Sequence, residues 1–248
     1  MKAFLNLRHS NNERSRLFEG GLQAIGYEVV YGVPKSPDKN DILVTWNRIH
    51  RLDAEAKKFE AKGNKVLVVE NASWGNSFCG ESWLHIARGL HNTAGCVDYL
   101  GPDRFDDLHV DLSPWRNEGG VIIILQRGIG SSPVAMPQSF QRDVTQIHKG
   151  RIRRHPGKLA VRSLEEDLKD CAEVVTWSSG AAIKALQLGI RVKSYYPNWI
   201  GAQNNTDEGR LQMFQQLAWA QWRLSEIGSG YAFSTLLTPP STSRNLKG

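Results

Sequence analysis

Short, almost purely apolar segments alternate with helical stretches along most of the 248 residues, and this alternation limits the fold more than any other feature. Val121–Leu125 is the clearest of these apolar runs. A strand is apolar along its whole length when helices cover both faces of a parallel sheet. The pattern therefore predicts an α/β protein of the doubly wound type.

The alternation is interrupted once, by a Gly-, Asn- and Asp-rich stretch between residues 75 and 120. We therefore predict two Rossmann-like halves that face each other across a cleft, residues 1–115 and 116–237, a long C-terminal helix, and a flexible tail at 238–248. The predicted strands are Ala3–Leu7, Glu28–Tyr31, Asp41–Trp46, Lys65–Glu70, Val121–Leu125, Arg151–Arg154, Glu173–Trp177 and Arg191–Tyr195. The predicted helices are Asn12–Gly26, Leu52–Lys62, Glu81–Arg88, Pro137–His148, Leu164–Cys171, Gly180–Leu188 and Asp207–Ile227.

Charge and composition narrow the class of partner. The 31 Lys and Arg residues exceed the 25 Asp and Glu residues, which gives a net charge of +6 and favours anionic partners such as nucleotides, sugar phosphates or nucleic acid. No apolar run reaches the ~20 residues of a membrane span, and the first residues lack the pattern of a signal peptide. We therefore expect a cytoplasmic protein with no membrane partner.

The three cysteines are too few and too scattered for a disulfide framework. Cys79, His85, His91 and Cys96 admit a zinc interpretation. Their spacing matches neither of the paired patterns of structural zinc sites, so we expect no metal.

Candidate site residues follow the strands of the second half, because ligands of parallel sheets bind beyond the carboxyl ends of the strands. Each of these segments also has a purely structural interpretation, as a surface turn, a solvated edge strand or an ordinary helix N-cap. The candidates are Gln126, Arg127 and Gly128 after one strand, Arg153, Arg154 and His155 at the end of another, and Ser178, Ser179 and Gly180 at a third.

Two of these segments carry a resemblance to a known family. The matching residues are His155-Pro156, then Thr176-Trp177-Ser178-Ser179-Gly180, and then Ala185-Leu186-x-x-Gly189-x-x-Val192. Together they resemble the nucleotide-sugar half of GT-B glycosyltransferases, most closely the capsule-polysaccharide and Kdo-transferase branch. The strand–helix–strand segment from Ile42 to Asn71 resembles the same branch. The resemblance implies transfer of a sugar from a nucleotide-sugar donor, with no further cofactor and no required metal.

The sequence departs from this family at functional positions. Lys184 stands where the family has an acidic residue that binds the nucleotide. We keep Lys184 as a donor-binding candidate, because an ammonium group can pair with a diphosphate. Asn71 replaces a frequent Asp. For the proton acceptor the resemblance favours Glu70, and His9, just beyond the first strand, is the second candidate.

The acceptor stays open at this point. The basic charge favours DNA with hydroxymethylated pyrimidines, which would have to leave the base stack to react. A polysaccharide or a small molecule is the alternative acceptor. Lys184 and Asn71 also permit a different class, a non-catalytic nucleotide-binding module.

Overall fold

The structure, a computed structural model, describes residues 1–7, 12–75, 77–92, 95–132, 134–157 and 162–238. The predicted tail lies outside this range apart from Thr238. The strands are β1 (Lys2–Asn6), β2 (Glu28–Tyr31), β3 (Ile42–Trp46), β4 (Val66–Asn71), β5 (Ser77–Phe78), β6 (Glu81–Arg88), β7 (Gly120–Ile124), β8 (Arg151–Arg153), β9 (Cys171–Thr176), β10 (Arg191–Ser194) and β11 (Gln221–Arg223). The helices are α1 (Asn12–Ala24), α2 (Arg51–Glu60), α3 (Asp103–Asp106), α4 (Phe140–Ile147), α5 (Leu164–Leu168), α6 (Ala181–Gln187), α7 (Asp207–Ala218), α8 (Leu224–Gly228) and α9 (Tyr231–Leu237).

Two sheets organise these elements. The first has the order β11-β6-β4-β3-β1-β2, with β5 beside β6, and its strands β1 to β4 pair in parallel. Strands β6 and β11 join its other edge in antiparallel pairing. The second sheet has the order β10-β9-β7-β8 and is parallel throughout. The predicted α/β class with parallel sheets is confirmed.

Burial on both faces explains the apolar runs. In the run from β7 onward, Ile122 and Ile124 face one hydrophobic core, and Ile123 and Leu125 face another. Successive side chains of a strand point to opposite faces, so a strand covered on both sides must be apolar at every position.

The segment Glu81–Arg88 is a strand, and our prediction of a helix there was wrong. Trp83, Leu84, Ile86 and Ala87 are all buried, and β4 and β11 flank this strand in the first sheet. Side chains that are buried at successive positions suit a strand with covered faces but not a helix with one exposed side.

The predicted long helix Asp207–Ile227 was also wrong, because α7 ends at Ala218 and the chain continues through β11 into α8. The Arg104 side chain explains the break. Its guanidinium donates to the Ala218 carbonyl at 2.8 Å and also to the Gln221 carbonyl, and it forms an ion pair with Glu226. These bonds satisfy carbonyl groups that a continuous helix would have bonded internally. The terminal segment therefore returns to the first sheet, where β11 pairs with β6.

No helix in the described ranges is both long and apolar enough to cross a bilayer.

The return of the chain brings α8 against α1 at Gly21. A Cβ atom added at Gly21 would lie 1.8 Å from the Ile227 carbonyl oxygen, whereas one added at Gly20 would meet no atom closer than 4.0 Å. We expect Gly21→Ala to lower the free energy of unfolding by about 1–3 kcal/mol through overpacking. The matched Gly20→Ala should leave it unchanged or raise it by about 0.5–1 kcal/mol, since alanine favours helix. Urea unfolding of both variants would measure this, and equal effects would contradict the close packing of α1 and α8.

Candidate functional site

A cavity of about 460 Å³ lies where loops following strands of both sheets meet. We call it the main cavity. Its walls come from the segments after β7, β8 and β9 in the second sheet and after β3, β4 and β6 in the first. Parallel pairing places the carboxyl ends of β3 and β4, and those of β7, β8 and β9, at one edge of their sheets, so the segments after them gather although they are far apart in sequence. Strand β6 is antiparallel to β4, and the segment after it reaches the cavity where the Asn92 backbone N–H donates to Glu70.

Most of the predicted donor-binding residues line the main cavity. Ser178 and Lys184 do not. The residues that do are Gln126, Arg127, Gly128, Arg153, Arg154, His155, Ser179 and Gly180. Three strand ends of the second sheet therefore meet at one cavity.

Ser178 is fully buried behind the wall and connects two strand ends. Its backbone N–H donates to Gln126 Oε1 at 2.9 Å, and Gln126 Nε2 donates to the Ser178 carbonyl at 3.3 Å. Neither Ser178 nor Ser179 caps α6, since Gly180 occupies the N-cap and no side chain caps the helix. Ser178 therefore positions the loop after β7 instead of facing a ligand.

The predicted arginine cluster divides into two groups. The buried Asp167 carboxylate accepts hydrogen bonds from both Arg151 and Arg153, which holds these two side chains in place and offsets one of their two charges. Arg154 is exposed and donates instead to the neutral amide oxygen of Gln141 at 3.2 Å. Arg127 is also exposed at the cavity wall. Arg127 and Arg154 are thus the arginines best placed to attract an anion into the main cavity.

His155 adds a neutral hydrogen-bond donor between these charges. Burial lowers its pKa, and the charges of Arg127 and Arg153 lower it further. Its Nδ1 accepts a hydrogen bond from the Gly157 backbone N–H at 3.0 Å. The neutral ring therefore carries its proton on Nε2, which can donate to a ligand oxygen.

A second cavity of about 340 Å³, the side cavity, adjoins the main one. It holds Glu70 and Lys184, and Trp46 forms part of its wall. The two cavities share the lining residues Asn47, Asn71, Asn92, Leu164, Gly180 and Ala181. Lys184 Nζ donates to Gln187 Oε1 at 3.1 Å. Lys184 thus lines the side cavity, as Glu70 does, and does not line the main cavity that holds the arginines.

Glu70, at the end of β4, is hydrogen-bonded at its position. Its Oε1 accepts from the Asn92 backbone N–H at 2.9 Å. With the Asn47 amide oriented to satisfy both of its polar atoms, the Asn47 nitrogen donates to the same oxygen at 3.2 Å. The other predicted proton acceptor, His9, lies outside the described residues.

Sequence reasoning missed the placement of His91. It treated His91 only as one of four zinc candidates, but the structure puts this residue in the wall of the main cavity. In the described part of the chain, no group of three or more His, Cys, Asp or Glu side chains is placed to hold a metal ion. The position of His91 in the cavity wall depends on the course of β6. The sequence predicted β6 as a helix, so it did not indicate that position.

Comparisons with known proteins agree with this architecture. No family model and no curated protein sequence matches the chain. Among solved structures, the KpsC beta Kdo 2,7 transferase of Thermosulfurimonas dismutans aligns with a TM-score of 0.54 and 13% identity, over 94% of this chain and 99% of that one. In fold, the chain is similar to a Kdo transferase.

A second structure supports the same similarity. The KpsC beta Kdo 2,4 transferase of the same organism aligns with a TM-score of 0.51 and 15% identity, over 88% of this chain and 90% of that one. The resemblance to the Kdo-transferase branch is therefore confirmed at the level of the fold.

A buried polar chain supports the side cavity from behind. Ser73, in the side-cavity wall, donates its backbone N–H to Gln221 Oε1 at 2.8 Å. Gln221 Nε2 in turn lies 2.8 Å from His85 Nδ1. His85 is fully buried, and this burial lowers its pKa from 6.5 to about 4.

This shift predicts a loss of stability in mild acid. Below pH 6.5 the unfolded chain protonates His85 while the folded protein does not, so the stability is complete above pH 6.5 and falls as the pH drops toward 4. Over the whole interval the loss is about 3 kcal/mol, at about 1.4 kcal/mol per pKa unit. Urea unfolding at pH 7 and pH 5 should show a smaller pH dependence for His85→Gln than for the wild-type protein. If His85→Gln and the wild-type protein show the same pH dependence of stability, His85 is not the group responsible.

Proposed function

We propose that the protein is a glycosyltransferase that uses a nucleotide-sugar donor. In this proposal the two sheets form the facing halves of a GT-B arrangement, with the boundary near residues 112–120. The donor occupies the main cavity, and the acceptor enters through the side cavity. A polysaccharide-type acceptor is favoured by the similarity in fold to the KpsC chains, whose names describe Kdo transferases.

One observation carries this proposal. Three separate strand ends of the second sheet bring Arg127, the pair Arg154 and His155, and Ser179 to the same cavity. Together they offer two cations, a neutral imidazole donor and a hydroxyl group. This set suits a diphosphate, because charged donors bind phosphate oxygens strongly and glycines allow close approach of the backbone.

The chemistry needs charge stabilisation on one side and proton acceptance on the other. As the bond between the anomeric carbon and the phosphate oxygen breaks, its electron pair stays on the phosphate. Arg127, Arg154 and the Nε2–H of His155 stabilise that charge without a metal ion. The acceptor hydroxyl forms the new bond to carbon and transfers its proton to Glu70, which lines the adjoining side cavity. Ser178 and Arg153 have positioning roles in this scheme.

Neither the fold nor the comparisons support the DNA acceptor that the basic composition favoured. The cytoplasmic location also stays a prediction. The non-catalytic nucleotide-binding module is retained as one outcome of the experiment that follows.

The test is a panel of UDP-, CMP- and GDP-linked sugars, read by thermal shift for binding and by released nucleotide for turnover. A bound donor stabilises the folded form, so at least one sugar nucleotide should raise the melting temperature. Arg154→Gln should lower turnover about 100-fold, the usual cost of removing one group that stabilises developing charge.

The matched control is Arg142→Gln, which removes an exposed arginine on α4 that pairs with Asp143 outside the cavity wall. It should retain wild-type turnover. If a donor binds but no acceptor supports turnover, the non-catalytic module is favoured. If no sugar nucleotide binds, the proposed function is wrong.

A further inference from the structure

His91 is a buried polar residue that the proposed function does not use. It follows β6, it is only 2% exposed, and it lines the main cavity. Neither of its ring nitrogens has a hydrogen-bond partner among the described residues. A buried imidazole in this state loses its hydrogen bonds to water without replacement, which is unfavourable and uncommon in native proteins.

The ring packs against the loop that follows β7. A Cβ atom added at Gly130 would lie 2.1 Å from His91 Cε1, and Gly130 has a φ of +121°, so glycine is required there both by the backbone and by the ring. The Ile129 backbone also lies near the ring, although it does not meet hydrogen-bond geometry with either nitrogen. His91 therefore contacts the same loop that carries Arg127 and Gly128.

The backbone beside His91 is held from both sheets. The Asn92 N–H donates to Glu70 at the end of β4, and the Asn92 carbonyl accepts a hydrogen bond from Trp199 Nε1 at 3.0 Å. Trp199 belongs to the segment after β10. The backbone therefore holds the imidazole at the cavity wall. The direction of its nitrogens can then change mainly by rotation of the side chain.

Burial is the main reason that the neutral form of the His91 ring is favoured. Burial lowers the pKa of His91, Arg48 lowers it further, and Asp53 and the Ile129 backbone act in the opposite direction. Arg48 is itself paired with Asp53 and Glu60, so its charge is largely compensated. A neutral imidazole retains one N–H donor and one acceptor nitrogen.

We propose that His91 is a ligand-binding residue that donates a hydrogen bond to a phosphate oxygen of the nucleotide in the main cavity. The inference rests on the proposed function and extends the phosphate-binding set to a residue of the first half. Phosphate is the favoured partner because the ring adjoins the loop that carries Arg127 and Gly128, both of which line the main cavity. His91 lines the same cavity with both nitrogens buried, and in this proposal a rotation of the side chain brings one of them to the ligand.

The proposal predicts two effects of opposite sign for His91→Leu. Nucleotide affinity should fall about tenfold or more, as expected for the loss of a hydrogen bond to a charged group. The free protein should become more stable, because leucine removes an unpaired polar group from a buried site. Calorimetric titration with CMP, UDP and GDP measures the first effect, and urea unfolding measures the second.

Two controls separate this role from a structural one. Cytidine, uridine and guanosine lack the phosphate, so any binding of these nucleosides should be equal in His91→Leu and wild type. His109→Asn changes an exposed histidine with a φ of +48°, which asparagine tolerates, and should leave nucleotide affinity unchanged.

A measurement on the wild-type protein keeps the proposal testable if His91→Leu does not fold. In NMR spectra of histidine-labelled protein, assigned with His91→Gln, saturation with the nucleotide should raise the pKa of His91, since a phosphate anion favours the protonated ring. Nucleotide binding that leaves this pKa unmoved, or that persists at full affinity in His91→Leu, would overturn the inference alone. If no nucleotide binds the wild-type protein, the proposed function and the inference both fail.

Discussion

Parallel pairing of the strands is the constraint on which the site depends. In both sheets the carboxyl ends of the parallel strands lie at one edge, so every loop that follows such a strand leaves the sheet on the same side. The loop after β7, the His-Pro turn after β8 and the Ser-Ser-Gly turn after β9 become neighbours for this reason alone. A cavity lined from both sheets follows, because the loops after β3 and β4 reach the same space. The segment after the antiparallel β6 is held there by the hydrogen bond from the Asn92 N–H to Glu70.

Charge compensation then decides which of the gathered side chains can act on a ligand. The buried carboxylate of Asp167 engages Arg151 and Arg153, which makes them part of the framework that holds β8 and α5 together. Arg154 lies one residue beyond β8 and contacts a neutral amide instead. A dense basic sequence is therefore not equivalent to a dense basic site, since burying a charge requires a partner for it.

The sequence predicted the parallel strands of both sheets well, but it predicted β6 as a helix and missed β5 and β11. The strands β1 to β4, β7 and β9 each contain an apolar run of strand length, whereas β8 and β10 are short and largely polar. The segment Glu81–Arg88 was mistaken for a helix, because a buried strand and a short buried helix are alike in composition. The end of α7 depends on Arg104, which comes more than a hundred residues earlier, and no local pattern encodes such a contact.

The amino-acid pattern by itself determined the class of fold, the approximate strands, and the loops that carry basic, hydroxyl and glycine residues, because the length of an apolar run and the residues that follow it are local properties. Only the tertiary structure decided which of those side chains line the main cavity and which are buried, paired or placed elsewhere. It buried Ser178, paired Arg153 with Asp167, placed Lys184 in the side cavity, and placed His91 against Gly130. These outcomes depend on contacts between residues distant in sequence, and such contacts exist only once both sheets are assembled.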